Sequence, residues 1–170
     1  ATAGADAGSS MRRGLALERK GKYDEALKAY QEALVLEPDN VRIHYDMGRA
    51  QYEAKQHPEA VENFQLGLLS KSRPLRARSL YNIGNCQYRQ NRLDEAIASY
   101  TQALLVRPDD LQAKQNLEYC LKMKAERQQK PDSTRQQQNQ QQQQQKQQQQ
   151  SQQQQQQQQA QQAQGQKGAI

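Results

Sequence analysis

Residues 80–108 read LYNIGNCQYRQNRLDEAIASYTQALLVRP, and the spacing inside this stretch decides the fold. Gly84 is followed twelve residues later by Ala96, four residues after that by Tyr100, then by Ala103 and Pro108. Ile97, Tyr100 and Leu104 fall on one helical face. Small residues such as Gly84, Ala96 and Ala103 suit places where two helix backbones approach closely. Asp94 favours a helix start, and Arg107-Pro108-Asp109-Asp110 marks a stop. The stretch therefore reads as two antiparallel helices.

The same pattern occurs twice upstream, as expected of a repeat architecture. Gly14, Ala26, Tyr30 and Ala33 form one copy, and Gly48, Ala60, Phe64 and Gly67 the next. The first two copies lie 34 residues apart and the second two 36. The extra pair is expected in a loop around Ser72 to Arg76, where insertion disturbs least. In copy one Leu27, Tyr30 and Leu34 share a face, Asp24 favours a helix start, and Glu37-Pro38-Asp39-Asn40 is a stop. Pro58 suits the first turn of its helix. No segment alternates with period two, so the expected fold is all-α.

These residues resemble the tetratricopeptide repeat (TPR), whose pattern runs W-x2-L-G-x2-Y, then A-x3-F, then P. Copy three carries it as Leu80, Ile83, Gly84, Ala96, Tyr100 and Pro108; copy two as His44, Met47, Gly48, Ala60 and Phe64. The resemblance implies a right-handed α-α superhelix of three TPR hairpins, at about 7–40, 41–74 and 77–110. Copy one departs from the pattern at Ser10 and Arg13, so its first helix is expected to fray as a terminal repeat. A capping helix is expected at about 111–127, with Leu111, Leu117 and Leu121 on one face. Glu118 stands there in the place of Gly14, Gly48 and Gly84, which fits only where no second helix packs. The TPR domain is thus placed at 1–127.

Residues 128–170 are mostly glutamine and cannot bury enough apolar surface to order themselves, so a disordered polyglutamine tail is expected. Spacer and sticky low-complexity segment are both open as its role. The formal charge of +6 divides evenly, because Lys130, Arg135, Lys146 and Lys167 against Asp132 give the tail +3. No Lys/Arg cluster resembles a nucleic-acid tract, and Asp46 and Glu53 interrupt the basic face, so no nucleic acid is expected as partner. No apolar run approaches the ~20 residues of a membrane span.

Enzymatic chemistry is not expected, and neither are a cofactor, a metal or a small-molecule substrate. His44 stands at a core aromatic position and His57 at a hairpin turn. Cys86 and Cys120 occupy equivalent places in successive first helices and read as small buried fillers, with no CxxC or Cys/His spacing. The glycines lie singly and form no phosphate-cradling loop.

TPR arrays resemble one another in use: first helices line a concave groove that holds peptides or partner helices. By register, the partner-binding groove here comprises Arg12, Arg19, Arg42, Tyr45, Arg49, Tyr52, Arg78, Tyr81, Asn82, Asn85, Tyr88 and Arg89, beside Leu15 and Asp46. Gln115, Tyr119 and Lys122 extend it onto the cap. Singly, each Arg fits the solvated stripe of an amphipathic helix; together they form a strip of residue types that make hot spots. The expected partner is an extended or helical protein segment with carboxylates facing Arg49 and Arg78. Chaperone-binding TPR domains clamp a C-terminal carboxylate with Lys and Asn, where this chain has Met11, Leu15 and Asp46, so a cochaperone role is not expected.

Three repeats, the stretch Ala113-Lys114-Gln115-Asn116-Leu117-Glu118 and a glutamine-rich tail also resemble the TPR proteins of bacterial Bat (aerotolerance) operons. That resemblance implies a cell-envelope complex on the periplasmic side and a membrane-anchored partner carrying a von Willebrand A domain. The opening Ala1-Thr2-Ala3-Gly4 would then follow a processed secretory start. The alternative is a cytoplasmic adaptor whose tail mediates weak self-association.

Overall fold

The computed structural model describes residues 6–129, which form seven α-helices and no strand. They are α1 (Ala7–Glu18), α2 (Tyr23–Leu36), α3 (Val41–Glu53), α4 (His57–Gly67), α5 (Arg73–Arg89), α6 (Leu93–Val106) and α7 (Leu111–Gln129). The chain divides after Lys124 into two units, the first holding α1 to α6 and the start of α7. The expected polyglutamine tail lies outside the described residues. Helices α1–α2, α3–α4 and α5–α6 pack as antiparallel hairpins and stack into the right-handed TPR superhelix.

Each hairpin is closed by an aromatic ring seated on a glycine of its own first helix. A Cβ on Gly14 would lie 2.5 Å from the Tyr30 ring, on Gly48 2.9 Å from Phe64, and on Gly84 2.7 Å from Tyr100. Gly48 is also only 3.2 Å from the Ala60 backbone oxygen by the same measure. The core is a chain of three clusters, each completed by the next first helix. Tyr30 packs with Ile43 and Met47 of α3. Phe64 packs with Leu75, Ile83 and Cys86 of α5, and Tyr100 with Cys120 of α7. Helix α7 thus occupies the place of a fourth first helix and covers the third hairpin.

The turns inside the hairpins share one geometry that the sequence analysis did not identify. Gly21, Lys55 and Asn91 all have left-handed backbones, at φ +71°, +63° and +62°. In each, two reverse hydrogen bonds close the helix end, such as Lys55 N to Tyr52 O and Gln56 N to Gln51 O at 3.0 and 2.8 Å. This is the Schellman arrangement, which favours glycine. Lys22, Gln56 and Arg92 close one helix and open the next, and none makes a side-chain cap. Acidic residues in the first turns (Asp24, Glu25, Glu59, Asp94 and Glu95) offset this by meeting the positive helix end. Between hairpins the caps are conventional: Asn40 and Ser72 accept from backbone amides of α3 and α5, and Asp110 from Ala113 N.

Three expectations need correction. The loop expected at Ser72 to Arg76 is instead the first turn of α5, which spans 17 residues against 13 for α3. Ser72 and Pro74 together start that helix early, while α4 stops short at Gly67, so the extra pair is spread over two helix ends and a connection of nearly unchanged length. The packed face of α7 carries Ala113, Leu117, Cys120 and Met123, whereas Leu111 and Leu121 are exposed. The small residues are needed where α7 meets the preceding hairpin. Helix α1 is complete, with Asp6 capping Ser9 N and the polar Ser10 buried, so the small side chain replaces bulk without leaving the helix short.

Two substitutions should move stability in opposite directions. Gly84→Ala gains about 1 kcal/mol of helix preference but drives a methyl into a Tyr100 ring that is wedged and buried. Overpacking of about 1–3 kcal/mol prevails, and urea denaturation should show a net loss. Lys55→Gly relieves a left-handed backbone and should raise stability by about 0.5–1 kcal/mol.

Candidate functional site

Side-chain hydrogen bonds join the first helices directly and so define an inner wall. Arg49 of α3 reaches Glu18 of α1 at 2.8 Å. Asn82 and Arg89 of α5 donate to the hydroxyls of Tyr45 and Tyr52 of α3, at 3.3 and 3.4 Å. Asn116 of α7 donates to Asn85 and Tyr81 of α5, at 3.0 and 3.4 Å. Asn116 and Ala113 of the A-K-Q-N-L-E stretch are thus the residues that seat α7.

The wall has two electrostatic halves. Towards α1, Asp46 is wholly buried and pairs with Arg42 Nε at 2.9 Å. Its other oxygen lies 3.5 Å from Arg49 Nη1, an ion-pair contact without hydrogen-bond geometry. The bond to Asp46 holds the Arg42 guanidinium above its ordinary range. Glu18 accepts from Arg49 and from the Tyr30 hydroxyl, the latter at 2.9 Å. Two carboxylates and two guanidiniums therefore neutralise one another. Arg49 is already engaged, which corrects the expectation that it faces a partner's carboxylate. Tyr45 is also not a free groove residue: its ring is buried 5.6 Å from Phe64, because α3 turns this position towards α4.

Towards α7 the wall is basic and polar. Helix α5 carries Arg73, Arg76, Arg78 and Arg89 and no Asp or Glu. Arg78 is exposed and makes no hydrogen bond or ion pair among the described residues. Arg89 is exposed and, among the described residues, bonds only the neutral Tyr52, which raises its pKa further. Arg12 and Arg19 are likewise exposed on α1. Around Arg89 lies a cup of about 250 Å³ lined by Tyr52, Tyr81, Asn85, Tyr88, Arg89, Tyr100, Asn116, Tyr119 and Cys120. Tyr88 and Tyr119 meet edge to face at 5.9 Å, and Tyr81 and Tyr100 lie tilted at 5.9 Å. The expected wall residues Tyr52, Tyr81, Asn85, Tyr88 and Arg89 are thereby brought together, with Asn82 one turn away. Tyr100 and Asn116 were not anticipated; the hairpin lock and the cap supply them.

The other candidate ligands and nucleophiles are structural. His44 is half-buried, with Nδ1 2.9 Å from Asn63 Oδ1. His57 stacks near Tyr52 at 5.3 Å, and burial lowers its pKa. Cys86 and Cys120 are free and buried, and burial pushes the Cys86 thiol up to about 12. No group of three His, Cys, Asp or Glu that could hold a metal ion occurs among the described residues.

The chain carries tetratricopeptide repeats: the TPR repeat profile matches residues 14–55, and the tetratricopeptide repeat profile matches residues 77–110. Among solved structures it is similar to the first TPR of Spaghetti (RPAP3) bound to the HSP90 peptide SRMEEVD. That match has a TM-score of 0.65 and 21% identity, over 70% of this chain and 93% of the other. The Sgt2 TPR domain from Aspergillus fumigatus gives 0.64 and 18%, over 71% and 80%. The Yersinia enterocolitica chaperone SycD, with a peptide of the translocator YopD, gives 0.63 and 18%, over 69% and 93%. In sequence, 44 residues are 39% identical to the Hsp70-Hsp90 organising protein of Plasmodium falciparum (isolate 3D7), 26% of this chain and 8% of that protein. TPR proteins are generally non-enzymatic scaffolds.

Burial sets a pH dependence. Burial, and then the bond to Glu18, raises the pKa of Tyr30; burial raises those of Tyr100 and Cys86. The folded chain keeps protons that the unfolded chain releases above about pH 8.5–10. Their stabilising contribution is whole below that range and is lost as pH climbs towards the folded values. The urea midpoint should fall between pH 8 and pH 11, and Tyr30→Phe should flatten the slope.

Proposed function

We propose that this chain is a non-enzymatic scaffold that holds an extended, acidic segment of a partner protein along its inner wall. The observation that carries this reading is the pair Arg78 and Arg89, two exposed guanidiniums with no carboxylate partner on a strip of Asn and Tyr. Asn side chains can bond a peptide backbone, and guanidiniums pair with carboxylates. Support comes from the RPAP3 repeat domain, whose solved complex holds the acidic peptide SRMEEVD on the same fold. A C-terminal carboxylate clamp is not part of the proposal. Asp46 and Glu18 already engage the guanidiniums of Arg42 and Arg49 in that half of the wall, and Met11 and Leu15 pack against the first core cluster.

The finer proposal is a Bat-type complex at the periplasmic side of a bacterial envelope, with a von Willebrand A domain protein as partner. It rests on the 113–118 stretch and on the order of repeats, cap and glutamine-rich segment. Fluorescence anisotropy with a labelled acidic peptide tests the scaffold reading. Arg78→Glu with Arg89→Glu should weaken binding by at least about tenfold and lessen its salt dependence. Arg12→Glu should change it much less. Unchanged affinity in the double variant sinks the proposal.

A further inference from the structure

We infer that the tyrosine cup between α5 and α7 is a seat for a proline ring within that acidic segment, a refinement that rests on the peptide-binding reading above. The cup is too small for an ordinary small-molecule site, which runs to about 300–1,000 Å³, but it accommodates a single ring. Five phenols line it, and no carboxylate does. Arg89 at its edge repels an ammonium group, so the cup is not a cage for cations, which aromatic faces otherwise attract.

Its hydrogen-bonding capacity is unbalanced in a way that selects a backbone conformation. Asn85 Oδ1 already accepts from Tyr100 OH at 2.8 Å and from Asn116 Nδ2 at 3.0 Å. This fixes the amide so that its nitrogen is the half left to donate. Arg89 commits Nε to Tyr52, leaving its terminal nitrogens as further donors. A helical ligand has internally bonded carbonyls and would waste these groups. A polyproline II chain leaves its backbone carbonyls unbonded, and its proline brings a compact apolar ring, without an N–H, to lie against aromatic faces.

The two arginines set the length of the segment. Eleven residues of helix separate Arg78 from Arg89, about 16 Å at 1.5 Å per residue. At about 3.1 Å per residue, a polyproline II chain covers that span in about five residues. Of the residues that α5 gives to the cup, Asn85 stands four positions before Arg89, about 6 Å along the helix. The fitting pattern is therefore two acidic residues five apart, with proline two positions before one of them.

Competition anisotropy on the full chain, with the peptides EAAPAE, EAAAAE and QAAPAQ, tests this. EAAPAE should bind about fivefold to tenfold better than either control. Tyr88→Ala with Tyr119→Ala should abolish the advantage of proline over alanine, while Arg78→Glu should still weaken both acidic peptides. Tyr119→Ala alone serves if the double variant loses its helical circular dichroism, since that side chain is 54% exposed. Equal binding of EAAPAE and EAAAAE overturns the proline seat and leaves the acidic-segment reading standing. Equal binding of QAAPAQ and EAAPAE overturns the two-arginine spacing. Failure of all three peptides to bind overturns the inference, and the scaffold reading falls with it only if longer acidic peptides also fail.

Discussion

The contact between a helix glycine and the aromatic ring sixteen residues later holds the rest of the structure in place. At Gly14, Gly48 and Gly84 the missing side chain lets the ring lie flat against the backbone. The ring then reaches the next first helix from behind, so one contact closes a hairpin and prepares the surface on which the following hairpin stacks. Alanines at 26, 60 and 96 serve the same close approach and are fully buried. These positions tolerate no added volume, because interiors are packed to near-crystal density, and Gly67 is equally tight against the Ser79 side chain.

That packing fixes where the polar side chains of the first helices stand, and the wall's two halves follow from it. Asp46 is carried into the interior on the same turn as Met47 and Gly48, so its charge must be met locally, by Arg42 and Arg49. A buried carboxylate without such partners would be costly. Helix α5 has Asn82 in the corresponding position and needs no counter-charge. Of its arginines, Arg73 and Arg76 bond the backbone carbonyls of Val106, Ser70 and Lys71, Arg89 bonds the Tyr52 hydroxyl, and none meets a carboxylate among the described residues.

The hairpins were legible because their signal is periodic and steric: three glycines, three aromatic rings and two prolines recur on a common spacing. The cap was legible as a helix, but its packed face was misjudged, since leucines suggested a seam that the register gives to Ala113 and Cys120. Two of the three hairpin turns carried no glycine: Asn91 is a residue type that tolerates the left-handed backbone and was overlooked, whereas Lys55 left no local trace. The start of α5 was missed for a related reason: Ser72 and Pro74 read equally well as loop or as helix opening. At the wall, register alone was enough to put Tyr52, Tyr81, Asn85, Tyr88 and Arg89 on one strip. Which arginines are engaged depends on Glu18, a hairpin away, and on the depth of Asp46, and no single-helix pattern encodes either.

The bonds between neighbouring first helices are made by polar side-chain tips, Arg49 to Glu18, Asn82 to Tyr45, Arg89 to Tyr52 and Asn116 to Asn85. Behind them the contact is apolar: the ring of each second helix packs directly onto the first helix that follows. An assembly stiff on one side and laced by extensible struts on the other behaves as a leaf spring. Small changes of curvature exchange a few polar contacts for water at little cost while the rings stay seated.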